Sequence, residues 1–184
     1  MPKRAHEDKD RELLLLGIIR SGDIHVYELN KFIDAHGPGL ISLKKSTIYN
    51  TLRRMEKDGW IDSYEQQVAN HPPRRMYRIQ PPGEALFQQL LRERGSTFVI
   101  PELLGAISLG FLHELPLEEA ARLLRQRREA AVKTAALFDH DHALVPQVLS
   151  HPLLGADVVY LQQFFKQEVA FLDMLLTRIA EHSP

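Results

Sequence analysis

Four cations, Lys44, Lys45, Arg53 and Arg54, stand between positions 44 and 54 with no acid among them, in a chain of formal net charge −1. A concentrated positive segment in a nearly neutral chain points to a polyanionic partner. Taken alone, the same residues also suit a solvated helix face, because long cationic side chains sit comfortably in water above an apolar stripe. The downstream sequence shifts the balance. Trp60-Ile61-Asp62-Ser63-Tyr64-Glu65 roughly alternates, Ala69-Asn70-His71-Pro72-Pro73 breaks the pattern, and Arg74-Arg75-Met76-Tyr77-Arg78-Ile79 alternates again with basic residues. A hairpin whose tip and return strand are basic, through Arg74 and Arg75, suits contact with a sugar-phosphate backbone.

Other reactive groupings carry less. Asp139-His140-Asp141-His142 has metal-capable side chains, but adjacent residues cannot all converge on one ion, and a solvated interhelical turn is the better reading. His25 opens a helix and suits packing or capping rather than base catalysis. The chain has no Gly-rich phosphate loop, nucleophile elbow or zinc-protease helix. No catalytic residue, metal site or cofactor is expected.

The cationic segment needs a helix to present it. Ile48, Leu52 and Met55 recur at spacings of four and three, one apolar stripe that leaves Lys44, Lys45, Tyr49, Asn50, Arg53 and Arg54 largely off it. Ser42 or Ser46 can cap its start, and Gly59 suits its end. Trp60, directly after it, is expected to pack at the root of the hairpin. Before it, Asp10 to Arg20 reads as a short apolar helix with Leu13, Leu16 and Ile18 or Ile19 on one face. Ser21-Gly22-Asp23 breaks that helix, and Ile24 to Ala35 restarts one with Tyr27, Leu29, Phe32 and Ile33 as its apolar set, closed by His36-Gly37-Pro38-Gly39. Helix, helix, turn, helix, hairpin is the order of a winged helix-turn-helix domain, whose third helix enters the major groove.

Several segments are similar, in order and spacing, to signatures of the PadR family of transcriptional regulators: Ile24-His25-Val26-Tyr27-Glu28-Leu29, Thr47-Ile48-Tyr49 with Leu52-Arg53-Arg54-Met55-Glu56, Gly59-Trp60-Ile61, and Pro73 to Ile79. Val26 stands where that family usually has Gly, and Asn50 where it has Pro. The resemblance implies DNA-binding roles for Lys44, Lys45, Ser46, Thr47, Tyr49, Asn50, Arg53, Arg54, Arg74 and Arg75.

Pro81-Pro82-Gly83 opens a further helix, Glu84 to Arg94, with Leu86, Phe87, Leu90 and Leu91 as its buried side. Gly95-Ser96-Thr97 is the expected boundary between a domain at 1–95 and one at 96–184. The first holds 16 Lys and Arg against 13 Asp and Glu, the second 7 against 11, so the halves have different electrostatic tasks. Beyond the boundary the pattern is helical. Pro101 to His113 is apolar almost all round, which predicts burial from several sides. A long helix follows from Pro116 to about Phe138, with Glu118-Arg122 and Glu129-Lys133 as supporting pairs. The last helix, about Ala156 to Glu181, carries Leu161, Phe165, Leu172, Leu175 and Ile179 in a stripe wider than one helical hairpin covers. A second copy of the chain is the economical cover. Leu115-Pro116-Leu117-Glu118-Glu119-Ala120 and the His151-Pro152 lead into the last helix resemble the helical C-terminal domain of longer PadR-type regulators, which implies a homodimer through these five residues. Phe111, Phe138, Tyr160, Phe164, Phe165 and Phe171 are candidate lining for a small apolar or aromatic effector.

Composition agrees with a folded protein, at 44% hydrophobic and 26% charged residues over 184. The absence of cysteine excludes disulfides and thiolate metal sites and fits the cytoplasm. The apolar run Leu13 to Ile19 lacks a cleavage pattern, and Phe98 to Leu115 is interrupted by Pro101, Glu102, His113 and Glu114, so no membrane segment is expected. The sequence thus predicts a mainly α protein with a small β-hairpin wing, its N-terminal winged helix-turn-helix domain joined to a C-terminal helical dimerisation domain. The expected function is that of a homodimeric regulator, repressor in sign, on an inverted-repeat operator in double-stranded DNA. The rival reading is a winged-helix protein-interaction or small-molecule-binding module without DNA binding, against which the cations at positions 44, 45, 53, 54, 74 and 75 argue.

Overall fold

The computed structural model describes residues 3–36, 41, 43–67, 73–99, 105–139, 153 and 155–182. The chain forms two compact units, Met1–Ile100 and Pro101–Pro184. In the first, the order is α1 (Lys3–Arg20), β1 (Ile24–His25), α2 (Val26–His36), α3 (Lys45–Lys57), β2 (Ile61–Gln66), β3 (Arg74–Ile79) and α4 (Pro81–Gly95). The second has α5 (Ala106–Leu109), a 3-10 turn at Leu112–Glu114, α6 (Leu117–Asp139) and α7 (Ala156–His182). The fold is mainly helical with one small antiparallel sheet, a winged helix-turn-helix followed by helices.

The core of the first unit joins Leu15, Leu16, Ile18 and Ile19 of α1, Leu29 and Ile33 of α2, Ile48, Leu52 and Met55 of α3, Ile61, Tyr77 and Leu90. Each large aliphatic side chain buried there contributes about 1.5–3 kcal/mol relative to exposure, so the stripe of α3 is fixed inward by packing rather than by propensity. Helix α1 begins at Lys3, earlier than the apolar run suggests. Arg11 pairs with Glu7 at 3.1 Å and Asp8 at 2.7 Å, helical-neighbour spacings that support the polar turns. Arg94 of α4 grips Asp10 through two bonds, at 2.6 and 3.0 Å, and so ties α4 to α1.

Ile24 and His25 form a strand rather than the start of a helix. They pair with Tyr77 and Met76, giving strand order β1-β3-β2. Helix α2 therefore starts at Val26, and its inward stripe runs Val26, Leu29, Asn30, Ile33, the i, i+3, i+4, i+7 set. Tyr27 falls off that stripe and is 69% exposed, and Phe32 is exposed as well, which corrects the expected apolar set. The same logic corrects α4. Gly83, Leu86, Phe87 and Leu90 face inward while Leu91 is exposed.

Two glycines hold the wing root. Gly59 has φ +72°, the left-handed conformation that ends α3. At Gly83 a Cβ would lie 2.0 Å from the Trp60 carbonyl oxygen, so only glycine allows α4 to approach so closely. Trp60 itself packs against the core, as a root residue should.

In the second unit α6 and α7 are in contact, and their buried apolar residues among those described are Ala120, Ala121 and Leu124 with Leu161 and Leu172. Arg127 donates to Glu168 at 2.7 Å, and Arg128 bonds both oxygens of Asp173, fastening the pair at its polar edge. The expected supports on α6 are replaced by Arg122 with Glu119 at 3.6 Å. The segment expected to be buried on several sides is instead short. Gly105 and Gly110 bracket the four residues of α5, and Ile107 and Phe111 are exposed. Among the described residues no helix is long and apolar enough to cross a membrane.

Candidate nucleic-acid interface

Helix α3 has two faces of opposite character. Ile48, Thr51, Leu52 and Met55 are buried. Lys44, Lys45, Ser46, Tyr49, Asn50, Arg53 and Arg54 are exposed, and Thr47 is half-buried. The helix starts without a side-chain cap. Lys44 is the N-cap, its carbonyl receiving the amides of Thr47 at 2.9 Å and Ile48 at 3.1 Å. Ser46 lies inside the first turn and is not the cap, and Ser42 lies outside the described residues. The hydroxyl of Thr51 is spent inward, on the Thr47 carbonyl at 2.9 Å.

Arg53 and Arg54 differ although adjacent. Arg54 reaches back to α1 and pairs with Glu12, whereas the side chains of Arg53, Lys44 and Lys45 make no ion pair or hydrogen bond among the described residues. Burial raises the Glu12 carboxyl above its ordinary range, against the attraction of Arg54. The two opposing effects leave a carboxylate placed at some cost beside the cationic helix.

Arg74 and Arg75, neighbours on β3, project to opposite faces of the sheet. Arg75 turns toward the end of α3, where it bonds both carboxylate oxygens of Glu56 at 2.8 and 2.7 Å and donates from Nε to Ser63 Oγ at 3.0 Å. Ser63 in turn donates to Glu56 at 2.5 Å. These contacts, with Ser63 the larger influence, lower the Glu56 carboxyl below its ordinary range, and the bond to Glu56 raises Arg75. Burial also raises the Tyr77 hydroxyl, whose ring lies under the Arg75 guanidinium at 5.6 Å. On the other face Arg78 pairs with Asp62 at 2.8 Å, and Tyr64 donates to Asp23 at 2.7 Å. Arg74 makes no ion pair among the described residues.

Lys44, Lys45, Arg53 and Arg74 are thus side chains of this surface without an ion pair among the described residues, beside the exposed hydrogen-bonding groups of Ser46, Tyr49 and Asn50. Phosphate-positioning and base-edge contact both need such groups on a rigid element. Glu12, Glu56 and Ser63 belong to the site and carry no local sequence signal, since each acts across a tertiary contact. His25 caps rather than catalyses, its Nδ1 accepting the Tyr27 amide at 3.1 Å.

The sites weighed in the second unit separate. Of the five residues expected at a dimer interface, Leu161 and Leu172 are buried within the unit and Phe165, Leu175 and Ile179 are half-buried. Within the single chain, then, Leu161 and Leu172 are covered while the other three remain partly open. At 100° per residue a second stripe runs along Tyr160, Phe164, Phe171 and Met174, and all four are exposed. Of the candidate effector aromatics, Phe111, Tyr160, Phe164 and Phe171 are exposed, Phe165 meets Phe164 edge-on at 5.5 Å, and the Phe138 side chain lies outside the description. Asp139 ends α6, and His140, Asp141 and His142 lie outside the described residues. Among the described residues no group of His, Cys, Asp and Glu could hold a metal ion.

A cationic helix face beside a basic wing on this scaffold defines a winged-helix DNA-binding regulator. Residues 15–89, within the winged-helix unit, match the transcriptional regulator PadR-like family. No curated protein matches the sequence. Among solved structures, Bacillus subtilis PadR in complex with operator DNA is similar with a TM-score of 0.76 at 19% identity, over 91% of this chain and 98% of that one. The PadR-like regulator BC1756 from Bacillus cereus is similar with a TM-score of 0.72 at 15% identity, over 94% and 99%. Bacillus subtilis PadR in complex with p-coumaric acid gives 0.70 at 18% identity, over 94% and 97%. At these identities the likeness is one of fold, and it extends over both units.

Proposed function

We propose that this chain is a regulator of the PadR type, a cytoplasmic homodimeric repressor that binds an inverted-repeat operator in double-stranded DNA and is released by a small aromatic effector. The observation that carries the reading is the division of α3, whose apolar side is buried while Lys44, Lys45, Ser46, Tyr49, Asn50 and Arg53 face solvent. Asn50 and Arg53 read base edges, and Lys44, Lys45 and Arg74 neutralise phosphates. The likeness to the operator-bound Bacillus subtilis PadR supports the DNA ligand, and its complex with p-coumaric acid supports a small aromatic effector.

The dimer is proposed through α7, by the exposed stripe Tyr160, Phe164, Phe171 and Met174 together with the half-buried Phe165, Leu175 and Ile179. Such an apolar row in water favours a partner, and a two-fold dimer presents two recognition helices to half-sites about 34 Å apart. Selection from a pool of random duplexes tests the function. The reading predicts enrichment of an inverted repeat with half-sites one helical turn apart, and recovery of unenriched duplex at every salt concentration contradicts it.

A further inference from the structure

The contacts around Arg75 form a closed set. Its guanidinium lies across both oxygens of Glu56, its Nε donates to Ser63, and Ser63 donates to Glu56, so each polar group is satisfied by the other two. Glu56 lies near the end of α3 and Ser63 and Arg75 lie on paired strands, so the set joins the recognition helix to the wing. The Tyr77 ring backs the guanidinium at 5.6 Å. A carboxylate presents to an arginine the same two-oxygen edge as a phosphate. Glu56 thus engages Arg75 through the kind of oxygen edge that a phosphate also offers.

We propose that Glu56 is a specificity-determining residue of the DNA interface. By holding Arg75 in the protein it withholds one wing cation from phosphate, and so weakens binding to DNA of any sequence while leaving the wing fixed against the reading helix. This inference rests on the reading of α3 and the wing as a nucleic-acid interface and adds to it the control of non-specific affinity. Non-specific binding is set by the number of neutralised phosphates, each contributing about 0.9 to the slope of log affinity against log salt. One withheld arginine therefore has a measurable signature. Over a fourfold change in salt it amounts to about a 3.5-fold difference in affinity.

The test is binding of the full-length chain to random-sequence duplex and to selected operator across a salt series, with thermal unfolding recorded for every variant. Glu56→Gln keeps the size of the side chain and removes the charge that holds Arg75. It is expected to steepen the random-duplex slope by about one phosphate contact and to narrow the gap between operator and random DNA. The double variant Glu56→Gln/Arg75→Gln removes both charges and is expected to return the slope to the wild-type value. Asp58→Asn, which deletes an exposed acid beside Glu56 without freeing an arginine, is expected to change the slope far less. An unchanged slope in Glu56→Gln overturns the proposal. So does a double variant one contact below wild type, which would mean that Arg75 already meets phosphate, and so does a rise in Asp58→Asn equal to that of Glu56→Gln. Should Glu56→Gln unfold, the double variant decides alone by the same comparison. If the wild type binds no duplex at all, the interface reading falls together with this one, whereas wild-type binding with unaltered slopes overturns only the role of Glu56.

Discussion

Arg54 of the recognition helix is held by Glu12 of α1, Nη2 to Oε1 at 2.5 Å, while its neighbour Arg53 makes no ion pair among the described residues. Two arginines adjacent in sequence thus differ in their contacts, one tied to α1 and one exposed without an ion pair among the described residues. Arg53→Ala is expected to lower the salt slope of operator binding by about one unit or, if it reads a base, to cost about 1–3 kcal/mol at one position. Arg54→Ala is expected to change the slope by less than half as much. Anisotropy titrations over a salt series make the comparison, and equal losses would show that Arg54 leaves Glu12 when DNA binds.

Glu12 and Glu56 have opposite effects on the pH dependence of stability. Burial raises Glu12, so the folded state retains a proton that the unfolded chain releases near its ordinary value of 4.5, and the contribution of Glu12 to stability declines as pH rises above about 4.5. Glu56 is lowered by its bonds from Ser63 and Arg75, so its contribution is present above 4.5 and is lost as pH falls toward the folded value. Glu12→Gln should therefore make the unfolding temperature rise more steeply with pH above about 4.5, and Glu56→Gln should flatten the fall below it. Thermal scans across mildly acidic buffers check both signs. Parallel curves for wild type and Glu12→Gln would contradict the first.

The two sides of α7 should respond differently to substitution. Leu172 is fully buried within its unit, so Leu172→Ala is expected to cost about 2–5 kcal/mol of folding stability. Phe164→Glu/Phe171→Glu changes exposed residues and should leave the folded unit intact while dissociating the dimer. Light scattering with denaturant unfolding separates the effects. A wild-type monomer at micromolar concentration would contradict the dimer.

Gly83 is required by contact rather than by turn geometry. A methyl group there meets the Trp60 carbonyl oxygen at 2.0 Å, so either α4 or the wing root must move, and Gly83→Ala should cost about 1–3 kcal/mol. Urea unfolding measures it. An unchanged midpoint would mean that the contact relaxes freely.

What the sequence disclosed of this protein is what repeats locally. Ile48, Leu52 and Met55 announce α3 because one helix face faces one core, and Gly59 announces its end because few residues other than glycine adopt a positive φ readily. The strand at Ile24–His25 was hidden because two residues carry no periodicity, and its partners Tyr77 and Met76 lie far along the chain. Helix α7 is apolar on two sides, and nothing along it says that Leu161 and Leu172 are the residues buried within the single chain. The division of the cations into engaged and unengaged was equally illegible, since Glu12 and Glu56 reach Arg54 and Arg75 only after folding.

The central claim is that the solvent face of α3 binds DNA, and charge reversal on that face tests it most directly. Lys45→Glu/Arg53→Glu alters two exposed residues that make no ion pair among the described residues, so the unfolding temperature should stay close to wild type. Affinity for a duplex selected by the wild-type protein should fall at least about a hundredfold at low salt, because two positive charges facing a polyanion become negative and Arg53 loses its base contact. A well-folded double variant that binds the selected duplex as tightly as the wild type would contradict the claim.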